Sequence, residues 1–483
     1  MAEQRHTPLH TPTSEYEVRG VTAALLAPTI LDLLDSDPTS IAAETEEIHP
    51  ADLADIAEAL PRERVADLLR ALSEERAADI LEYLDEDLRS EVLEGLPTRQ
   101  AAALVTEMNP DERADVLEEL EEERADEILA RIPLAEREET ERLLAYETDT
   151  AGGLMTTEFV SVLDSERVED ALNAVRRIAR SEKGRRESMH AIYAVDASGA
   201  VKGVMSLDEL LAAPDGALIR DVAWEEVVTV APEMDREEVA RLTSNYDLVV
   251  LPVVDEAHRI LGVVTVDDVI DALVEEHTED VQRFGGMEAL DEPYTQIGFW
   301  RMIRKRGGWL SALFLGEMLT ATAMQHFDVE LKKAIMLTLF IPLIMSSGGN
   351  SGSQATSLII RALALGEVTV RDWWRIAVRE IPAGMVLGAM LGIIAFFRIM
   401  LWQRMGIYDY GTHYMLLGTT VGMALVGIVT FGSLAGSMLP FLLRRVGFDP
   451  ASASAPFVAT LVDVTGLSIY FYVALFFLKG TLL

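Results

Sequence analysis

The sequence predicts a multidomain protein in which an α-helical solenoid and a pair of small α/β modules precede a connecting helix and an all-α membrane domain. Three observations predict this order: a 12-residue repeat over 49–144, a strand–helix pattern that occurs twice over 150–275, and five apolar stretches after residue 306. Charge divides the chain in the same way, because residues 301–483 hold 9 acidic and 15 basic residues whereas residues 1–300 hold 71 and 26.

The composition of the 483 residues excludes several classes of protein. The sequence has no cysteine, so it offers no disulfide, thiolate zinc site, iron–sulfur cluster or thiol nucleophile. The acidic excess over residues 1–300 repels a phosphate backbone, and we expect no nucleic-acid partner. The first 20 residues contain no apolar stretch of the kind that a secretory signal needs.

Residues 1–24 are predicted to be a disordered tail and residues 25–148 an acidic domain of helical repeats. The 12-residue units begin with residues that favour a helix start, such as Pro61, Ser73 and Asp85. Each unit ends on an apolar residue: Leu60, Leu72, Leu84, Leu96, Met108, Leu120, Ile132 and Leu144. One unit is then a helix of about two turns plus a corner, and stacked units form a solenoid with a continuous core.

Residues 149–273 contain two copies of a strand–helix–strand–strand–helix pattern, over 149–215 and 216–273. The segments GAVKGVMSLDELL and LPVVDEAHRILGVVTVDDVIDAL make the copies resemble a tandem pair of CBS domains. Such pairs often sense adenine nucleotides, which implies ATP as a possible regulatory ligand and a weak nucleotide site at Thr265 and Asp268. The same Thr–x–x–Asp spacing is also an ordinary start of a helix.

Two acidic segments are candidate binding sites for divalent cations. In the repeat domain, Asp111 and Asp115 either belong to a docking surface or bind hard cations through carboxylate oxygens. The second segment is a connecting helix and linker predicted over 266–300, where like charges repel at i, i+4 spacing. That face is either solvated or neutralised by cations, and its candidate ligands are Asp267, Asp268, Asp271, Glu275 and Glu276, with Asp247 from the preceding module.

Five apolar stretches define a membrane domain over 301–483. Each reaches about 20 residues, the length of helix that crosses a bilayer: Gly307–Phe327, Ala334–Ile360, Ile381–Trp402, Thr412–Leu443 and Ser452–Phe477. Basic residues gather before the first stretch, between the second and third, and between the fourth and fifth, so these loops are expected in the cytoplasm. The prediction is a multi-pass protein of the cell membrane, in contact with lipid, with a cytoplasmic N-terminus and an external C-terminus.

Polar groups within these stretches predict a path for a cation. Asp463 has no basic residue within three helical turns, and such carboxylates usually face a bundle interior or an aqueous path. Glu317 either lies beside the same path or is protonated and hydrogen-bonded. The second stretch, PLIMSSGGNSGSQATSLIIRALA, combines small residues with neutral oxygens, which suits close helix packing, approach of the backbone to an ion, or both. One carboxylate among many neutral oxygens suits a hard, divalent cation.

The chain resembles the MgtE family of magnesium channels over nearly its whole length from about residue 25. The resemblance rests on the second-stretch motif above, on LPFLLRRVGFDPASASAPFVATLVDVTGLSIYF and on VVDEAHRILGVVTVDDVIDAL. It implies a homodimer with five spans per subunit and a pore between the subunits. It also implies that the helix around 268–284 connects the acidic domains to the pore as a plug.

The same resemblance implies roles for individual residues. Asp463 would be the central ion-selecting carboxylate, with three neighbours at Ala459 (through its carbonyl), Gly349 and Asn350. Asp449, at the cytoplasmic start of the fifth span, would belong to an inner ion site. The family often has Asn where this chain has Ala455, so a pore-lining amide is lost and selectivity among Mg²⁺, Co²⁺, Ni²⁺ and Mn²⁺ stays open.

These observations predict a magnesium-selective channel for Mg²⁺ influx, which cytosolic Mg²⁺ closes by bridging carboxylates of the acidic domains. The alternatives are a divalent-cation transporter of broader selectivity and a non-conducting Mg²⁺ sensor. We expect no enzyme, because the serine in Gly-Asn-Ser-Gly at 349–352 has histidines in the membrane domain only at the outer span ends. An anion transporter would need a basic residue deeper in a span than Arg398.

Overall fold

The computed structural model describes residues 15–180, 190–214, 216–290, 294, 297–329 and 335–481. The chain divides into two compact units, Met1–Leu273 and Val274–Leu483. The first contains the helical repeats and the α/β modules, and the second contains the long apolar helices.

Helix α1 (Glu15–Ser36) begins inside the segment that the sequence predicts to be a disordered tail. The prediction is therefore wrong for residues 15–24, and residues 1–14 lie outside the described residues. The buried residues Ala23, Ala27, Ile30 and Leu34 recur at helical spacing and give α1 an apolar stripe. This stripe places α1 against the third helix, described next.

The 12-residue repeat is confirmed as one helix per unit. After the short α2 (Ile41–Glu44), eight helices begin 12 residues apart: α3 (Pro50–Glu58), α4 (Arg62–Arg70), α5 (Glu74–Glu82), α6 (Glu86–Gly95), α7 (Thr98–Glu107), α8 (Pro110–Glu119), α9 (Glu122–Leu129) and α10 (Leu134–Leu143). Helices two units apart pack together, α3 on α5 on α7 on α9 in one row and α4 on α6 on α8 on α10 in the other. The residues that end the units are buried, except Leu72 and Leu144, which are half-buried. A superhelical course for the whole series stays a prediction.

The two α/β copies form a CBS pair. The first copy runs β1 (Val160–Leu163), α11 (Val168–Ile178), β2 (Ile192–Val195), β3 (Val201–Met205) and α12 (Leu207–Ala212). Its strands form one sheet in the order β1-β2-β3, in which β1 and β2 are parallel and β2 and β3 antiparallel. The second copy runs α13 (Arg236–Asn245), β4 (Val250–Val254), β5 (Ile260–Thr265) and α14 (Val266–Phe284).

The strand–helix–strand–strand–helix pattern in the sequence predicts that the second copy begins with a strand at Val227–Val230. This prediction is wrong, because only Val230 pairs, in a parallel bridge with Val253. The Val230 N–H donates to the Pro252 carbonyl at 3.1 Å, and the Val254 N–H donates to the Val230 carbonyl at 2.8 Å. Pro252 has no N–H on the side that faces this segment, so the ladder of hydrogen bonds does not extend past one bridge.

Helices dominate the second unit. After the end of α14 come α15 (Phe299–His326), α16 (Ile341–Ala364), α17 (Trp373–Met405), α18 (Tyr414–Val446) and α19 (Ala455–Leu478). Four apolar segments among the described residues are long enough to span a membrane: Ile335–Ala364, Val370–Met405, Tyr414–Val446 and Ala455–Leu478. The first predicted stretch, Gly307–Phe327, lies in the helix α15, whose first eight residues include four basic ones and which carries Glu317. It is therefore less apolar than the other four.

Glycines let α17 and α18 lie backbone against backbone. A Cβ atom at Gly388 would come 2.7 Å from Val426 Cα, and one at Gly392 would come 2.7 Å from the Gly422 carbonyl oxygen. No flexible side chain absorbs such an overlap, so any larger residue forces the helices apart. The spacing of four between these glycines is the small-residue pattern that supports helix association in lipid.

We predict that Gly388→Ala lowers the thermal stability of the detergent-solubilised chain by several degrees, because overpacking costs about 1–3 kcal/mol. The measurement is the melting temperature followed by size-exclusion chromatography after heating. Gly307→Ala is the matched control, since a Cβ there meets no atom within 4 Å. Equal melting temperatures of the two variants would contradict the packing argument.

Candidate cation sites

Helices α16 and α19 bring together two segments that carry the predicted ion-path residues. A Cβ atom at Gly349 would lie 3.3 Å from the Ala459 Cβ, and the Ser353 hydroxyl donates to the Ala455 carbonyl at 3.3 Å. Because Gly349 has no side chain, α16 approaches the backbone that carries Ala459. The structure thus brings Gly349 and Ala459 into contact.

Asn350 lies next to this contact on an exposed face of α16. Its Nδ2 donates to Ser346 Oγ at 3.4 Å. The opposite face is buried, since a Cβ at Gly352 would lie 2.7 Å from Val458 Cγ1. One side of α16 therefore packs tightly while the other presents neutral oxygens, an arrangement that suits a cation which keeps part of its water shell.

Asp463 is half-buried on α19, and the charge that acts on it is that of Glu317. Helix α15 packs against α19, and a Cβ at Gly316 would lie 3.1 Å from Thr460 Cγ2. Thr320, one turn on, donates to the Glu317 backbone carbonyl and lies 3.1 Å from its carboxylate Oε1. Within the described part of the chain, no basic side chain pairs with Asp463. The structure thus brings the charge of Glu317 within range of Asp463, which is one of the two alternatives that the sequence leaves open for Glu317.

The segment before α19 contains another acidic residue that the sequence predicts to bind a cation, Asp449. Asp449 Oδ1 accepts the Ala451 N–H at 2.7 Å and so fixes the 3₁₀ turn Pro450–Ser452. Its other oxygen pairs with Arg283 at the end of α14, and Arg283 also pairs with Glu279. Burial, then the charges of Asp449 and Glu276, raise the pKa of Asp280 to about 6. Sequence analysis found Asp449 but missed Arg283, whose partner lies 166 residues away.

In the first unit, Asp111 on α8 comes close to Asp268 on α14. Burial, followed by the charge of Asp111, raises the pKa of Asp268 well above its usual range. Burial likewise raises the pKa of Asp111, and its buried Oδ1 accepts no hydrogen bond from any described residue. Burial and the charge of Asp111 also raise the pKa of Glu112 to about 9. Two predicted cation ligands from distant parts of the sequence therefore act on each other through their charges.

The other predicted ligands are not gathered into one cluster. Asp267 acts on Asp268 and Asp271 through its charge, and Asp115 interacts with Asp111 in the same way. Glu275 and Glu276 belong to the second unit, and Asp247 lies after α13 with a φ of 51°. Among the residues that the structure describes, no three His, Asp or Glu side chains stand close enough together to hold a metal ion.

A cavity of about 420 Å³ lies in the CBS pair, beside the hairpins of both copies. Its lining includes apolar and polar groups: Phe159, Ser161, Ser198, Asp255 and Arg259. Thr265 and Asp268, the residues predicted for a nucleotide, do not line it. The Thr265 hydroxyl instead hydrogen-bonds the Asp268 carboxylate, as expected for residues at the start of a helix.

Comparisons with known proteins agree with this domain order. The model of the MgtE family, which is described as a divalent cation transporter, matches residues 341–473. The model of the MgtE intracellular N domain matches residues 48–149, and that of the CBS domain matches residues 219–275.

Curated relatives and one solved structure extend the comparison. The magnesium transporter MgtE of Thermus thermophilus is 42% identical over 344 residues, which are 71% of this chain and 73% of the relative. The MgtE of Enterococcus faecalis is 34% identical over 71% of this chain and 72% of its own. A crystal structure of the cytosolic domain of the Mg²⁺ channel MgtE in complex with ATP is 36% identical, covers 51% of this chain and 99% of its own, and superposes with a TM-score of 0.48.

The raised pKa values predict how stability depends on pH. A carboxyl whose pKa is raised by folding favours the folded state below its unfolded pKa and loses that contribution as pH rises through its folded pKa. Because burial raises the pKa of both Asp111 and Asp268 above the ordinary carboxyl value, this loss begins near pH 4 and continues as the pH rises through the folded pKa values. In a chelator, the melting temperature of the first unit within the full chain should therefore fall over that window.

Asp111→Asn tests the same pair. At pH 8 in chelator, we expect the variant to melt a few degrees above the unsubstituted chain, because one of two repelling carboxylates is removed. It should also gain less from added Mg²⁺. Differential scanning fluorimetry measures both effects, with Asp126→Asn on the exposed part of α9 as the control. If Asp111→Asn and Asp126→Asn have the same melting temperature and the same gain from Mg²⁺, repulsion between Asp111 and Asp268 does not cause the effect.

Proposed function

This chain belongs to the MgtE family of divalent cation transporters, and we propose that it is a magnesium-selective channel that cytosolic Mg²⁺ gates. In this proposal Mg²⁺ enters the cell along a path centred on Asp463. The observation that carries it is a half-buried carboxylate beside a second carboxylate, Glu317, in helices that pack together. Two such groups need a cation in a low-dielectric region.

The proposed channel is a homodimer with five spans per subunit and a pore between the subunits. Helix α15 is the first span, because it packs on α19 although it is more polar than the other four. Asn350 and its neighbours supply neutral oxygens on an exposed face of α16, which is where a second subunit and hydrated ions would find them. The N-terminus is cytoplasmic and the C-terminus external, as the basic loops indicate.

Gating follows from the acidic surfaces. At low cytosolic Mg²⁺ the carboxylates repel one another and the acidic domains loosen, which opens the pore. At high Mg²⁺ the ions bridge carboxylates, starting with close pairs such as Asp111 and Asp268. Mg²⁺ shifts the equilibrium only by its higher affinity for the compact state. Oxygen-only ligands in pairs fit Mg²⁺, which holds few carboxylates and several waters.

ATP is the proposed regulatory ligand of the CBS pair. The cavity beside the two hairpins offers an aromatic ring, hydroxyls and the Arg259 guanidinium, groups that suit a base and phosphates. Arg259 pairs with Asp255 at 2.7 Å, so a phosphate would compete with that carboxylate.

A divalent-cation transporter of broader selectivity is the second candidate. Ala455 stands at the start of α19, where the family often has an Asn, and its carbonyl is bonded to Ser353. With one amide fewer, discrimination against Co²⁺, Ni²⁺ and Mn²⁺ is weaker. Competition of these ions with Mg²⁺ uptake, compared between the chain and Ala455→Asn, separates the two candidates.

Asp463→Ala should abolish Mg²⁺ uptake into proteoliposomes with little internal Mg²⁺. The reason is that the neutral variant has no carboxylate to compensate the ion for the water molecules that it loses in the membrane. Glu367→Ala, an exposed acidic residue between α16 and α17, is the control and should leave uptake near the starting rate. Uptake that survives in Asp463→Ala would move the selective site elsewhere, and no uptake by the intact chain would refute the channel.

Neutralising the acidic face of α14 should change inhibition by internal Mg²⁺. The variant carries Asp267→Asn, Asp268→Asn, Asp271→Asn, Glu275→Gln and Glu276→Gln, and we expect an inhibition curve with a higher midpoint and a lower slope. The control neutralises five acidic residues at the start of α9, Glu121, Glu122, Glu123, Asp126 and Glu127. An unchanged midpoint and slope in the α14 variant would refute this account of gating.

A further inference from the structure

Arginines gather at one end of the membrane domain, where the helices α16, α17 and α18 meet. The meeting point is a small apolar cluster that contains Leu363 of α16, Ile376 of α17 and Phe441 of α18. One guanidinium ties two of these ends together, since Arg444 Nη1 donates to the Leu363 carbonyl at 3.3 Å. The last turn of α16, the start of α17 with the turn before it, and the last turn of α18 carry six exposed arginines: Arg361, Arg371, Arg375, Arg379, Arg444 and Arg445.

The carboxylates of this region leave the arginines with an excess of positive charge. Three of them lie between the end of α16 and the first turns of α17: Glu367, Asp372 and Glu380. Asp372 is engaged by Thr369, whose N–H and hydroxyl donate to its Oδ2 at 2.9 and 2.7 Å. Arg375 and Arg379 act on the nearby carboxylates only through their charges, and none of the six arginines forms an ion pair with a carboxylate that the structure describes. Because a guanidinium keeps its charge at every physiological pH, this excess persists.

Arg375 and Arg379 lie on the face of α17 that is turned away from its partner helix. The opposite face packs on α18 through glycines such as Gly388. Val386 and Phe397, which are 70% and 65% exposed, each lie within about 20° of one of the two arginines around the helix axis. From Arg379 to Phe397 the helix rises about 27 Å, close to the thickness of the hydrocarbon core. The two guanidiniums therefore lie where the phosphates of a lipid leaflet begin, at the end of an exposed apolar face.

Tryptophans mark the same level of α17. Trp373 and Trp374 are both exposed, and tryptophan rings favour the boundary between hydrocarbon and headgroups. At the other end of this helix, the Arg398 guanidinium lies over the Trp402 ring at 4.0 Å from its centre, so that arginine has a partner within the protein. Arg375 and Arg379 have neither a carboxylate nor a ring as a partner among the described residues. A phosphate matches them, because it accepts two parallel N–H bonds from a guanidinium.

We propose that this end of the membrane domain binds the headgroup of an anionic phospholipid, with Arg375 and Arg379 on its phosphate and the exposed face of α17 along its acyl chains. Arg361 and Arg371 add charge that favours an anionic over a zwitterionic headgroup. The phosphate supplies the counter-charge that the protein lacks here and reduces the repulsion between arginines at i, i+4 spacing. The inference goes beyond the proposed function, since it concerns a lipid and not the transported ion, and its test requires no transport.

The test measures binding of phosphatidylglycerol to the full-length chain in detergent, by native mass spectrometry. Arg375→Gln with Arg379→Gln should weaken binding by about 10- to 30-fold, because each basic residue near an anionic surface contributes about 5-fold. Arg375→Lys with Arg379→Lys keeps both charges and should restore most of the affinity, whereas a lysine variant as weak as the glutamine variant overturns the role of charge. Arg304→Gln with Arg306→Gln is the matched control, since it removes two exposed arginines from the start of α15, and it should leave the affinity in place.

Two further probes identify what is recognised. Phosphatidylcholine has the phosphate and the acyl chains without a net charge, and it should bind about 10-fold more weakly than phosphatidylglycerol. Inorganic phosphate lacks the acyl chains and should not displace the lipid at equal concentration.

Four results overturn the proposal. Equal binding of the two lipids removes recognition of headgroup charge, and displacement by inorganic phosphate replaces the lipid with a simple anion. Equal losses in the α17 variant and the α15 control reduce the effect to general attraction between a basic surface and an anionic lipid. Unchanged lipid binding by the glutamine variant, with a lower melting temperature, assigns the arginines to a contact with an acidic part of the chain.

Discussion

Repulsion between carboxylates that the fold brings together is the constraint on which the rest of this structure depends. Asp111 lies by Asp268, Asp463 by Glu317, and Asp280 by Asp449. Each pair joins residues distant in sequence, so folding itself creates the repulsion. At each such pair the fold is either destabilised by the repulsion or stabilised by a bound cation. Oxygen ligands of this type suit Mg²⁺. Stability and cation binding are therefore coupled in the same residues.

Arginines show how the chain neutralises its acidic surface where no ion is needed. Arg89 is buried and bonds Glu119 through Nε at 3.0 Å, with Glu112 a further partner. Arg113 is also buried and donates to the Val105 carbonyl at 3.1 Å. These bonds join α6 to α8 and α8 to α7, so they fix the repeat core. Asp111 stands beside these pairs with its Oδ1 unbonded within the described residues, which makes it the carboxylate left for a cation.

The sequence predicted those features that repeat or that have a strong local pattern. The eight helices begin 12 residues apart because each unit needs one turn residue and one apolar end. The CBS strands and the apolar helices followed from alternation and from length.

The failures of the sequence prediction have physical causes. Helix α1 was missed because its stripe is built partly of alanine, and Val227–Val230 pairs only at Val230 because Pro252 lacks an N–H. The ion pair of Arg283 with Asp449 and the charge interaction of Glu317 with Asp463 join residues more than 100 positions apart, and no local pattern encodes them.

The start of α19 shows how packing and charge combine in this chain. Ser454 accepts N–H groups from Phe457 and from the Trp309 ring, and Asp449 binds both a backbone N–H and Arg283. Ala455 offers its carbonyl to Ser353 on α16. Three helices, α14, α15 and α16, thus each make a specific bond to one residue of the segment 449–455, which leads into the helix carrying Asp463. A shift of α14 acts on this segment at both ends, because its ion pair ends on Asp449 and the packing at Gly286 ends on Pro456 in the first turn of α19. The residues that hold this segment in place are therefore those through which a cation bound near Asp449 would act on the first turn of the helix that contains Asp463.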